Sequence, residues 1–264
     1  MDLKLKNKTA LVTGSTAGIG FAIAKSLAHE GAHVFVNGRT IERVENAVNK
    51  IKQQTDNENI KGLVADFSDK QQIDKLLTQL PEVDILINNV AVFEPKAFAD
   101  ITDESWIKFF EINVLSAIRL SRVYFDKMLK KNWGRIIFIS SESAVQIPEE
   151  MIHYGMTKTA QIAVARGLAE LTKGTNVTVN SVLPGPTFSE GVGGFIEALA
   201  KQNNKTVEQM ETEFFKSIRP TSILQRFIEP DEIASVVTYV ASPLSSAING
   251  AALRADGGVI KSAF

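Results

Sequence analysis

Short apolar runs alternate along the chain with longer segments in which apolar residues recur every three to four positions. The runs are 9–13, 33–37, 63–65, 83–88, 135–140, 177–183 and 251–255. Most are rich in β-branched or aromatic residues and apolar on both faces, the pattern of strands buried between two helix layers. Helical spacing marks 18–29, 41–54, 69–79, 102–131, 154–173 and 230–241, where Ile23/Leu27 and Ala24/Ala28 are neighbouring i, i+4 pairs. This alternation predicts an α/β fold, a doubly wound parallel sheet with right-handed crossovers and helices on both faces. No Pro/Ser/Gly-rich linker and no repeat divides the chain, so residues 1–264 are expected to form one domain.

One segment breaks the rhythm. Between Leu183 and Pro230, Val192, Phe195, Ile196 and Leu199 predict one amphipathic helix, and Val207, Met210, Phe214, Phe215 and Ile218 a second. An insertion after a strand's carboxyl end sits over the ligand crevice of an open α/β sheet. A helical lid at about 187–225 is expected, with Gly191, Gly193 and Gly194 giving it freedom to close.

Composition narrows the function. Hydrophobic residues make up 44% and charged residues 22%, a globular balance outside the disordered range. With a net charge of -1 there is no basic excess to neutralise a phosphate backbone, so nucleic acid is not an expected partner. The absence of cysteine removes thiolate nucleophiles, disulfides and iron–sulfur clusters. His29, His33 and His153 fall in no ligand pattern, so no metal is expected. No apolar run reaches about 18 residues, and none near the N-terminus reads as a signal peptide; no membrane contact and a cytoplasmic location are expected.

Thr13-Gly14-Ser15-Thr16-Ala17-Gly18-Ile19-Gly20 follows the first strand and opens the first helix. In that context Gly14 permits the tight turn, Gly18 lets the backbone approach a pyrophosphate, and Gly20 lets helix and strand pack closely. Free N–H groups and the positive end of the helix dipole face the phosphates. No Lys-Ser/Thr pair ends the turn, so it is not a nucleotide phosphate loop. The acid that takes the ribose 2′-hydroxyl of NAD is missing after the second strand, which ends Asn37-Gly38-Arg39-Thr40. Arg39 can instead hold a 2′-phosphate, which favours NADP(H) over NAD(H); the alternative is an arginine decorating the start of a surface helix. Asp66 stands where it can accept from the adenine amino group or cap the helix beginning near Asp69.

Tyr154 and Lys158 are four residues apart, on one face of a helix. A fixed cation favours the phenolate and lowers a pKa of about 10 toward the range that proton transfer needs. Alone, such a pair is more often structural.

Together, these motifs resemble the short-chain dehydrogenase/reductase superfamily over nearly the whole chain. They run from Thr13–Gly20 through Asp66, Asn88-Asn89-Val90-Ala91, Asn113, Ser141 thirteen residues before Tyr154, the Tyr154/Lys158 pair and Pro184-Gly185 to Asp256-Gly257-Gly258. The resemblance implies a Rossmann-type fold and a hydride transfer between nicotinamide and a carbonyl or secondary alcohol. It implies Tyr154 as acid/base, Ser141 as donor to the reacting oxygen, Lys158 as the group that lowers the tyrosine pKa and holds the ribose, and Asn113 as holder of a water linked to Lys158. Cofactor contacts are expected from Gly14, Ser15, Gly18, Ile19, Gly20, Arg39, Asp66, Asn89, Tyr154, Lys158 and Thr187. Phe93, Gln146, Met151, Pro186 and Phe188 are expected nearest the substrate. No arginine stands in an obvious place to clamp an anion, which points to an uncharged substrate.

The pattern is similar to the 3-oxoacyl-acyl-carrier-protein reductases, but the insertion is longer than theirs and their substrate does not carry over. Val90-Ala91 stands where the family has Ala-Gly, which predicts a small shift of that loop. Enoyl reductases space tyrosine and lysine by six residues and are set aside; an NAD(H)-preferring member or a non-catalytic cofactor-binding regulator are the alternatives. A homo-oligomer, dimer or tetramer, is implied, joined through 102–131, 154–173 and the C-terminal segment, with Ala160, Ala163, Ala165 and Ala169 as a close-approach face.

Overall fold

The computed structural model describes residues 1–263 apart from Asn203; Phe264 and the side chains of Glu190, Phe195, Ala198 and Leu199 lie outside the described residues. The expectations placed on Phe195 and Leu199 fall outside with them. Among the described residues, β1 (Thr9–Val12), β2 (His33–Gly38), β3 (Ile60–Val64), β4 (Ile85–Asn88), β5 (Gly134–Ile139), β6 (Val177–Pro184) and β7 (Ala252–Ala255) form one parallel sheet. Its order is β3-β2-β1-β4-β5-β6-β7, the doubly wound arrangement. β3 starts three residues before its apolar run because it is an edge strand, where Lys61 and Gly62 can face solvent.

The strands are apolar on both faces because each face carries a helix layer. Along β1, Ala10 and Val12 face one core and Leu11 the other, the period-2 alternation of a strand. The first core is closed by α1 (Gly18–His29) and α9 (Pro230–Ala241), through Ile23, Leu27, Ile233 and Val237. Across the sheet, α3 (Lys70–Gln79), α5 (Ser116–Lys131) and α6 (Ile152–Glu170) bury Leu76, Leu120, Tyr124, Ala165 and Ala169, among others. Ala165 and Ala169 therefore do not belong to an outer close-approach face, while Ala163 is exposed. The helix α2 (Ile41–Thr55) flanks β2 and β3, and no helix among the described residues is long and apolar enough to cross a membrane.

The long helix predicted over 102–131 is divided. It consists of α4 (Asp103–Phe110), a π-helical turn at Glu111–Leu115, and α5. Asn113 sits in that turn, fully buried, and its carboxamide brackets Val92: Nδ2 donates to Val92 O at 2.9 Å and Oδ1 accepts from Val92 N at 2.8 Å. The wider turn is a feature that clusters at functional sites.

The insertion forms α7 (Glu190–Gln202) and α8 (Val207–Ser217), with an apolar centre of its own in which the Phe215 and Phe227 rings lie 5.1 Å apart. Gly191, Gly193 and Gly194 lie inside α7. At Gly193 a Cβ would come within 3.1 Å of the Phe188 ring, which gives that glycine a packing role.

Candidate functional site

The chain leaves β1 toward β2 and β3 on one side and continues at β4 on the other, opening a crevice at the carboxyl ends of β1 and β4. A cleft of about 800 Å³ occupies it. Gly18, Ile19, Gly20 and Asn89 line it together with Ser141, Tyr154, Lys158 and Thr187.

The glycine turn is held from beneath. Asn37 Oδ1 accepts from Gly14 N at 2.9 Å, and Asn37 Nδ2 donates to Leu63 O and Ala65 O at 3.2 Å, which fastens the turn to the strand ends of β2 and β3. Asn89 Nδ2 donates to Thr13 O and Gly14 O at 3.0 Å. Gly20 has no room for a side chain, since a Cβ would lie 2.4 Å from Gly14 O. Ser15 does not reach the cleft. It is fully buried, its hydroxyl donates to Val12 O at 2.7 Å, and its N–H donates to Asn37 O at 2.8 Å. Gly14 is likewise part of the scaffold and does not line the cleft.

Ser141 follows β5 and caps a short turn, accepting from Ser143 N at 3.1 Å. Tyr154 and Lys158 project from the first turns of α6 as their spacing predicts. Lys158 Nζ lies 5.6 Å from the centre of the Tyr154 ring, and the Phe93 ring meets Tyr154 edge-on at 6.2 Å. Lys158 is only 2% exposed and donates to Ile139 O at 2.8 Å and to Gln161 Oε1 at 3.3 Å.

Electrostatically the pair differs from the sequence expectation. Burial lowers the Lys158 ammonium to about 7, and burial together with the Glu142 carboxylate raises the Tyr154 phenol above its ordinary value, with Ser141 and Arg219 opposing. Both groups are pushed toward their neutral forms. Lys158 donates its hydrogen bonds to a backbone carbonyl and an amide and not to the phenol oxygen, and the burial of the phenol outweighs what the ammonium contributes from 5.6 Å.

An amide joins Lys158 to Asn113: Gln161 Nε2 donates to Asn113 O at 2.6 Å while its Oε1 accepts from Lys158. Arg39 is exposed and Asp66 holds Ser68, accepting from its N–H at 2.8 Å; neither lines the cleft. Phe93, Met151 and Pro186 line it, whereas Gln146 donates to Thr221 at 3.2 Å and Phe188 packs on Phe227 in the insertion. His153 is fully buried against Phe109, with ring centres 4.0 Å apart, a packing role.

The sequence profile of the short chain dehydrogenases matches residues 8–200. The chain belongs to that family. This short-chain dehydrogenase is 51% identical to the uncharacterised oxidoreductase YvaG of Bacillus subtilis (strain 168), over the full length of both chains. It is 31% identical to the D-beta-hydroxybutyrate dehydrogenase of Cupriavidus necator, over 96% of this chain and 98% of that one. Among solved structures it is similar to the L-sorbose reductase of Gluconobacter frateurii in complex with NADPH and L-sorbose, with a TM-score of 0.92 and 27% identity over 99% of this chain and 100% of that one. It is an oxidoreductase.

Four cleft or support residues of this dehydrogenase escaped the sequence reading. Arg43, one turn into α2, lines the cleft beside Ala17 and Gly18. Glu142, directly after Ser141, is 5% exposed, and Arg219, just past α8, is 8% exposed; they pair at 3.1 Å in the cleft wall. Gln161 is the fourth. A polar residue on the inner face of α6, three positions after Lys158, was the available signal for it. Nothing local in the sequence announces Arg219, which reaches Glu142 across 77 residues of chain.

Proposed function

We propose that this dehydrogenase transfers a hydride between NADP(H) and a carbonyl or secondary alcohol, with Tyr154 exchanging the proton. One observation carries the reading: Ser141, Tyr154 and Lys158 line the same cleft as the glycine-lined N-terminus of α1.

The residues fit a dinucleotide. The helices α2, α3, α4 and α8 each begin with a side chain that caps a backbone N–H. At α1, Ala17 offers no cap and the first turn holds no acid, which leaves its N–H groups for a phosphate. Arg39 and Arg43, near the end of β2, supply the positive charge that a 2′-phosphate requires. The NADPH bound by the L-sorbose reductase supports the same preference. Asn89 and Thr187 line the same cleft.

When bound, the nicotinamide supplies or accepts the hydride. In the reductive direction the protonated Tyr154 phenol gives its proton to the carbonyl oxygen, and Ser141 Oγ donates a hydrogen bond to the same oxygen. The Lys158 ammonium stabilises the phenolate that remains. Asn113, gripping Val92 and, through Nδ2, Thr157 Oγ1 at 3.0 Å, sets the approach of the loop after β4 to α6. Exposed Ile107 and Phe110 on α4 support the homo-oligomer that the family resemblance implies. The helices α7 and α8, whose Val192, Ile196 and Phe214 line the cleft, serve as the lid.

Oxidation of NADPH by a panel of small ketones, followed at 340 nm, is the direct test; absence of turnover with every ketone overturns the reading. For the cofactor, Arg39→Asp lowers the kcat/KM ratio of NADPH to NADH by roughly 10- to 100-fold, the value of one charge-assisted hydrogen bond. An unchanged ratio removes Arg39 from the 2′-phosphate site.

A further inference from the structure

Glu142 is placed where no ordinary ketone needs it. Its carboxylate is buried beside the reacting groups, with Oε2 accepting from Ser141 Oγ at 2.5 Å and from Ser143 N at 2.9 Å. Its Oε1 accepts from Arg219 Nε at 3.1 Å, and Arg219 Nη1 donates to Glu150 Oε1 at 3.2 Å. All three side chains line the cleft with Ser141 and Tyr154.

From this arrangement we infer that the substrate is an uncharged α-hydroxy ketone or aldehyde, and in the oxidative direction a vicinal diol, recognised through its hydroxyl by Glu142. The inference rests on the reductase reading above. To donate to a substrate carbonyl, Ser141 must turn its hydroxyl away from Glu142. A buried carboxylate that loses a charge-assisted hydrogen bond is left under-solvated, at a cost larger than that of a neutral group. A hydroxyl on the carbon next to the carbonyl lies within a hydrogen-bond length of the carbonyl oxygen, so it can donate to Glu142 Oε2 as Ser141 moves to that oxygen. The count of hydrogen bonds is then preserved.

A plain ketone cannot make this exchange. An anionic substrate meets the Glu142 and Glu150 carboxylates, while the guanidinium between them, Arg219, is already engaged by both. Arg219 is therefore no anion clamp; it holds Glu142 in place. The chemistry balances without further reactants: the hydride reaches the carbonyl carbon, the Tyr154 proton reaches its oxygen, and the neighbouring hydroxyl is unchanged in the diol.

The test compares NADPH-dependent kcat/KM for three compounds of similar size: 1-hydroxy-2-butanone, 2-pentanone and 2-oxobutanoate. The hydroxyketone is expected to exceed the plain ketone by about 10- to 100-fold, with the keto acid lowest. In Glu142→Leu the preference for hydroxyketone over plain ketone falls to within about threefold, and Glu142→Gln, which keeps the shape and one acceptor, retains an intermediate preference. The wild-type ratio decides even where a variant fails to fold. Plain ketones reduced as well as hydroxyketones overturn the role of Glu142 and leave the reductase standing; a keto acid preferred over both does the same. Turnover of none of the three overturns both readings.

Discussion

Tyr154→Phe lowers kcat by roughly a thousandfold, within the range that a positioned proton donor contributes. The ring stays, and with it the edge-on contact to Phe93 and the packing of the first turn of α6. NADPH affinity, read by fluorescence titration, therefore stays within about twofold, because the phenol contributes little to binding compared with the α1 N-terminus. Burial and the neighbouring Glu142 hold the wild-type phenol above its usual range, so it is fully protonated at neutral pH. That state suits an acid that completes carbonyl reduction. The oxidative direction starts from the phenolate and is expected to gain rate as pH rises, while reduction shows no loss of phenol protons across the neutral range. A variant retaining a tenth of the wild-type rate removes Tyr154 from the proton transfer.

The sheet and its flanking helices were legible because their signal is local and periodic. Both faces of each central strand are buried, so β1, β4 and β5 read as unbroken apolar runs; the edge strand β3, half exposed, was read short. The division of 102–131 was not legible, since the π-helical turn carries Asn113, whose partner Val92 lies 21 residues away in the loop after β4. In the site, the glycine turn and the Tyr154/Lys158 spacing lie within single elements and were found. The pairing of Glu142 with Arg219 and the Gln161 bridge join different elements, and their charges and amides look like ordinary surface residues in one dimension. Ser15 shows the converse: a motif position marks a residue as important without saying whether it faces the ligand or the scaffold beneath.

Lys158→Met separates what the ammonium does for catalysis from what it does to the fold. Activity falls roughly a hundred- to a thousandfold, because the phenolate left after proton transfer loses its cation. Stability moves the other way with pH. Desolvation holds Lys158 at about 7 in the folded protein, well below the value of about 10.4 of an unfolded lysine. Between these values the unfolded chain binds the extra proton, so wild-type stability rises with pH across that window and is lowest below it. Methionine, of similar length and without a charge, removes this dependence but leaves Ile139 O and Gln161 Oε1 without their donor, a cost that does not vary with pH. The Tm of the variant relative to wild type, measured without cofactor, therefore increases steadily as pH falls from about 10 to about 7 and then levels off. A difference that stays constant across this range means that Lys158 remains charged in the folded protein, and that its ammonium is solvated or paired in a way the bonds to Ile139 and Gln161 do not provide.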